Sequence, residues 1–250
     1  VLRSIMVARS TAGAGAEIAR AEGRHRRGSG NALRAAVLGA NDGLCSNLAL
    51  IMGVAGASPG RAVLIAGLAG LVAGAFSMAF GEWISVTSSR ELSEREIRVE
   101  RSELEHAPDE EREELQLIYE SRGLPKDEAA ELAAHLLEDP KEALDVLARE
   151  ELGIDPKELG GSPWTAAGAS FALFSFGAVF PLLPYFWMRG LPAIGVSAGV
   201  SALVLFLIGV GISVITGKSA WISGTRQLLI GLATAGVTYG IGRGLGVALH

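Results

Sequence analysis

Residues 61–100 read RAVLIAGLAGLVAGAFSMAFGEWISVTSSRELSEREIRVE, and the change of character inside that stretch decides the fold. Its first 28 positions carry two charges, Arg61 and Glu82. A helix that crosses the hydrocarbon core of a bilayer needs about 20 apolar residues, so these positions read as one span. From Arg90 onward roughly every second residue is charged, and no apolar run of span length returns before Trp164. A membrane helix therefore leads into a water-loving segment.

Working outward, residues 90–163 hold 23 of the 27 acids and 10 of the 22 bases, a formal charge of −13. The other 176 residues share four acids, and none lies after Pro163. A soluble domain spreads charge over its whole surface, so this segregation excludes a simple soluble globule. A single Cys excludes a disulfide scaffold. The acidic segment repels phosphate and attracts cations, which argues against a nucleic-acid partner.

Five stretches are long and apolar enough to span: about 35–57, 61–88, 164–187, 191–216 and 227–249. Turns rich in Gly and Pro separate the first pair and the third and fourth, and a polar loop with Lys218 and Arg226 precedes the fifth. The expected organisation is a basic N-terminal segment (1–33), spans one and two (34–89), an acidic helical insert (90–163) and spans three to five (164–250). The fold class is an all-α membrane protein. Basic residues before the first span, Arg20, Arg24, Arg26 and Arg27, place the N-terminus in the cytosol. With five spans the insert is then also cytosolic and the C-terminus lies outside. Within the insert, helices are expected over 90–106, from Asp109 to about Arg122, over 126–138 and over 141–152. Glycines four apart, Gly39/Gly43, Gly70/Gly74, Gly195/Gly199 and Gly236/Gly240/Gly244, point to close helix packing and to an oligomer.

Only two acids fall inside the spans, Asp42 and Glu82. Ionisable groups at membrane depth are costly and usually face a water path, a partner or an ion. Asp42 lies about eight residues into its span, roughly 12 Å deep at ~1.5 Å per residue. Met78 precedes Glu82 by one helical turn and shares its face. A thioether beside a carboxylate suits a borderline metal such as Fe²⁺ better than Mg²⁺ or Ca²⁺. Asn41 and Ser46 could add oxygen ligands, whereas Cys45 reads as a small apolar filler. In the insert, Glu-x-x-Glu pairs put two carboxylates on one helix face. Five such pairs occur, at 91/94, 100/103, 110/113, 111/114 and 128/131. The glutamate content alone predicts about four, so spacing by itself also fits a solvated acidic surface. No Ser-His-Asp order, His-Glu-x-x-His, Cys-x-x-Cys or P-loop occurs, so no enzyme is expected.

Leu38-Gly39-Ala40-Asn41-Asp42-Gly43-Leu44 in the first span, with Ser77-Met78-Ala79-Phe80-Gly81-Glu82-Trp83-Ile84-Ser85 in the second, resembles the vacuolar iron transporter family from about Asn31 to the C-terminus. The resemblance implies a homodimer of five-helix subunits with a cytosolic metal-binding insert between helices two and three. It implies export of Fe²⁺, and of Mn²⁺ in many members, against protons moving inward. The family's ion-path Asp and Met fall on Asp42 and Met78, and its motif Glu on Glu82. Its insert ligands fall on Glu100, Glu103, Glu111 and Glu114, with a later Glu on Glu151. Where plant members place two Met residues, this chain has Leu147 and Ala148, which implies an all-oxygen site open to Zn²⁺ and Co²⁺ as well. No permanently bound cofactor is expected. Some bacterial members carry a ferritin-like domain ahead of the first span, and a start at Val1 leaves room for one upstream. The Ala-, Gly- and Arg-rich composition suggests a bacterial plasma membrane. The rival readings are a membrane-anchored metal buffer or sensor, and a transporter of another cation.

Overall fold

The computed structural model describes residues 37–58, 60–156, 159 and 161–248. The basic N-terminal stretch and His250 lie outside the described residues. Among those described there are eight α-helices and no strand: α1 Val37–Ala57, α2 Arg61–His106, α3 Pro108–Ser121, α4 Lys126–Leu136, α5 Pro140–Glu150, α6 Pro163–Leu182, α7 Gly190–Thr216 and α8 Ala220–Ala248. A 3-10 turn, Leu183–Phe186, follows α6. Five of the helices are long and apolar enough to cross a membrane. The chain divides into two compact units, a first formed by the described residues up to Ala79 and from Gly168 onward, and a second formed by Phe80–Ala167.

In the first unit, α1 threads the middle. Leu44, Leu48, Ile51 and Met52 are buried on it against Leu182 of α6, Leu205 of α7 and Ala235 of α8. Glycine lets backbones touch: a Cβ at Gly177 would strike the Ala40 carbonyl, and one at Gly43 the Phe174 carbonyl. Gly242 abuts the Gly53 carbonyl in the same way. In membrane helices, which lack a hydrophobic drive between them, such close approach supplies the packing. Gly195/Gly199 and Gly236/Gly240/Gly244 instead face open space within the chain. Trp164 and Trp221, at the starts of α6 and α8, and Trp187, just after the 3-10 turn, are all more than 70% exposed, as amphipathic rings at a membrane surface are. Pro181 and Pro184 end α6 in the 3-10 turn, and the Ser197 hydroxyl donates to the Pro181 carbonyl at 2.6 Å.

Three sequence expectations change. The helix expected over 90–106 is not separate, because α2 runs unbroken for 46 residues. No Gly or Pro interrupts it after Gly81, and Arg90 bridges Glu94 one turn on at 2.8 Å. The stop comes where Pro108 forces Ala107 out of helical geometry. The polar loop before the fifth span also shrinks. Gly217, with φ +66°, caps α7, and α8 begins at Ala220, so Arg226 sits in a helix rather than a loop. Finally, α4 and α5 each end two residues short of the expected bounds.

The second unit has its own core of Leu115, Ala133 and Leu147, with Leu104, Tyr119 and Val146 packed around it. Arg122 locks α3 to α5 by pairing with the Glu150 carboxylate while lying over the Tyr119 ring.

Candidate functional site

Two polar constellations stand out, one in each unit. The first is a cleft lined by Asp42, Ser46, Asn47 and Leu50 of α1, Gly70, Gly74, Ser77 and Met78 of α2, and Phe174 of α6. Glycine keeps it open. A side chain at Gly70 would run into Leu50 and Asn47, and one at Gly74 into the Phe174 ring. Asp42 and Ser46, one turn apart, are both exposed within the single chain, and the Ser46 hydroxyl donates to the Asp42 backbone carbonyl at 2.6 Å. Met78 is half-buried. The cleft thus offers one carboxylate, hydroxyl and amide oxygens, and a thioether.

Two of the sequence-derived path residues are placed differently. Asn41 does not line the cleft: its Oδ1 accepts from the Gln227 Nε2 on α8, and the Cys45 thiol lies 3.8 Å from the same oxygen. Glu82 is exposed, four residues beyond Met78, at the start of the second unit. Sequence reasoning did not single out Asn47, Ser77 or Phe174. Gly70 and Gly74 were legible as a close-packing pair, though not as the floor of a cleft.

The second constellation lies in the acidic unit. Glu100 of α2, Glu111 of α3 and Glu151, just past α5, bring carboxylate oxygens within 4.8 Å of one another. Glu100 and Glu111 are 2% and 5% exposed, while Glu151 is exposed. Its position follows from the end of α5: the Glu151 N–H donates to the Leu147 carbonyl at 2.9 Å, and Gly153, with φ +69°, turns the chain away. Glu103 lines the adjoining groove with Arg95, Glu96, Glu100 and Glu151. Glu114 stays outside the triad but is near enough to act on the charges of Glu111 and Glu151. Leu147 and Ala148 are fully buried.

Burial and like charge make the triad resist ionisation. Desolvation first, then the Glu151 and Glu111 charges, push Glu100 up to about 8. Glu111 is raised by burial and by Glu114 and Glu103, although its hydrogen bond with Glu100 works the other way. Glu151 is raised by burial, then by Glu114, Glu111 and Glu103. One oxygen each on Glu100 and Glu111 is buried without a partner. Divalent cations hold oxygen ligands at about 2.0–2.6 Å, so oxygens on opposite sides of one ion lie up to ~5 Å apart. The three carboxylates of the triad fall within that separation.

Five membrane-length helices, a cleft lined by a carboxylate and a thioether, and a helical unit in which three glutamates converge define a polytopic membrane protein. Comparison with known sequences places it further. The chain matches the VIT family over residues 33–243 and belongs to that family. It is 39% identical to the vacuolar iron transporter of Acanthamoeba castellanii, over 88% of this chain and 81% of the relative. It is 33% identical to vacuolar iron transporter 1 of Oryza sativa subsp. japonica, over 86% of each chain. With vacuolar iron transporter 1 of Arabidopsis thaliana the identity is 30%, over 84% of this chain and 85% of the relative.

Proposed function

We propose that this protein is a proton-coupled transporter that carries Fe²⁺, and Mn²⁺ with it, out of the cytosol, and that its glutamate triad captures the metal first. The observation that carries the reading is the cleft, where Asp42 and Met78 from two membrane-length helices line one space. A carboxylate there can hold a proton or a metal but not both, which is the least chemistry an exchanger needs. The thioether biases the site toward borderline metals. Relatives named as vacuolar iron transporters support iron as cargo.

In this reading Asp42, Met78 and Ser46 line the path, Asn41 positions α1 through Gln227, and Glu82 is a second carboxylate one turn beyond Met78. Glu100, Glu111 and Glu151 hold the captured ion, with Glu103 and Glu114 on its approach. An all-oxygen set also admits Zn²⁺ and Co²⁺. The working unit is a homodimer, a proposal supported by the exposure of Asp42 in the single chain. The acidic unit faces the cytosol and the C-terminus the other side, following the Lys/Arg bias. Its composition favours a bacterial plasma membrane.

The test is metal flux into proteoliposomes holding trapped Fe²⁺-sensitive and pH-sensitive dyes. Fe²⁺ entry with protons moving the other way is expected. Metal bound by the reconstituted protein without any flux would overturn transport and leave an anchored buffer or sensor.

A further inference from the structure

We propose that Asn47 supplies an amide oxygen ligand to the transported cation, beside Asp42 and Met78; this rests on reading the cleft as the ion path. The side chain is 2% exposed. Its Nδ2 donates to the Ala178 carbonyl of α6 at 2.7 Å. Its Oδ1 is buried and has no hydrogen-bond partner. That oxygen faces Gly70 of α2, where a Cβ would stand 3.0 Å from it. Asn47 and Gly70 line the same cleft as Asp42, Ser77 and Met78.

The bond to Ala178 fixes which way the amide points. With the NH₂ group held by α6, the carbonyl is turned toward α2. Inside a membrane span no bulk water supplies the missing donor, so an orphaned acceptor is a standing cost to the fold. A cation passing through the cleft removes that cost. An amide oxygen is a hard, neutral ligand that divalent metals accept alongside carboxylate. Because it is neutral, it adds coordination without adding charge, and an ion so held can still leave.

Packing makes the arrangement. Glycines at 43 and 177 let α1 and α6 meet backbone to backbone, which brings the Ala178 carbonyl within reach of Asn47. Glycine at 70 removes the side chain that would otherwise press on Oδ1. The two asparagines of α1 thus differ: the Asn41 oxygen is engaged by Gln227, and the buried Asn47 oxygen has no hydrogen-bond partner.

The experiment measures saturation curves for Fe²⁺ and Mn²⁺ uptake by the full chain in proteoliposomes, for wild type, Asn47→Asp, Asn47→Leu and Asp42→Ala. Asn47→Asp keeps an oxygen but loses the amide donor to Ala178, whereas Asn47→Leu loses both. A ligand role predicts that KM rises about tenfold or more in Asn47→Leu and stays within about threefold of wild type in Asn47→Asp. A purely structural tie to Ala178 predicts that Asn47→Asp is impaired at least as much as Asn47→Leu, and that result overturns the proposal. So does a wild-type KM in Asn47→Leu. The second readout is the rise in melting temperature on adding Mn²⁺, in a background with Glu100, Glu111 and Glu151 changed to Gln. It should survive in Asn47→Asp and vanish in Asn47→Leu; the reverse overturns the proposal. If Asn47→Leu does not yield a monodisperse protein, Asn47→Ala carries the same expectation. Normal transport by Asp42→Ala would sink the cleft reading itself. A dead Asp42→Ala beside a wild-type Asn47→Leu would sink only the role of Asn47.

Discussion

The cleft in the membrane and the triad in the acidic unit bring carboxylates to bear on opposite terms. In the cleft, one carboxylate stands among neutral groups: two hydroxyls, an amide and a thioether. In the acidic unit, three carboxylates meet within 4.8 Å, two of them buried, with Glu103 and Glu114 close by. A site with one charge binds a divalent ion loosely enough to release it. On the proposed reading a site with three binds it firmly, and without metal the burial and mutual repulsion of its carboxylates favour their protonated form. In the proposed function, that difference is what separates passage from capture.

The largest expected effect breaks the comparison on the membrane side. Asp42→Ala should abolish Fe²⁺ flux in proteoliposomes while the same preparation still binds metal at the triad, measured by equilibrium dialysis. Next comes the converse. Glu100→Gln with Glu111→Gln should weaken metal binding to the acidic unit by about 10–100-fold, yet leave measurable flux at high external Fe²⁺. If both variants lose both properties together, the two sites are one site and the comparison fails.

How far these sites were legible in the sequence depends on what each residue needs in order to be placed. The spans were legible because hydropathy is a local property, and so was the helical insert. The unbroken run of α2 was also written locally, in the absence of Gly and Pro between Gly81 and Pro108. The extension of α8 back to Ala220 was not, because Trp221 to Arg226 reads as polar while the helix it joins is long and apolar. In the acidic unit, i, i+3 spacing marks both members of a Glu pair alike. Only the packing of α3 and α5 beside α2 decides that Glu100 and Glu111 turn inward while Glu103 and Glu114 stay at the rim. Asn41 and Asn47 make the same point in the membrane. They differ by what Gln227 and Ala178, more than a hundred residues away, do to each amide.

A smaller effect sharpens the contrast through pH. Glu100 has its folded value raised from 4.5 to about 8. The folded state therefore holds more protons than the unfolded one across that window, and the metal-free protein loses stability as pH rises through it. The melting temperature in chelator should fall between pH 5 and pH 8.5. Metal must displace those protons, so affinity at the triad should rise over the same range. Calorimetry in two buffers of different ionisation enthalpy should show protons released on binding. A flat melting profile in chelator, or binding without proton release, would mean that the triad is not strained.

The smallest effect concerns Leu147. It is fully buried against Leu115 and Ala133, in the core of the acidic unit. Leu147→Met conserves volume and should cost less than about 1.5 kcal/mol, a shift of a few degrees in melting temperature. If the side chain is held in that core, the new thioether stays away from the carboxylates and the ratio of Zn²⁺ to Mn²⁺ affinity at the triad is unchanged. A flexible methionine that reached the ion instead would give the triad a soft ligand and raise that ratio about tenfold or more. The capture site would then carry the same carboxylate–thioether chemistry as the cleft. In that case, what keeps the two sites apart in this chain is the packing of one leucine, not the number of their charges.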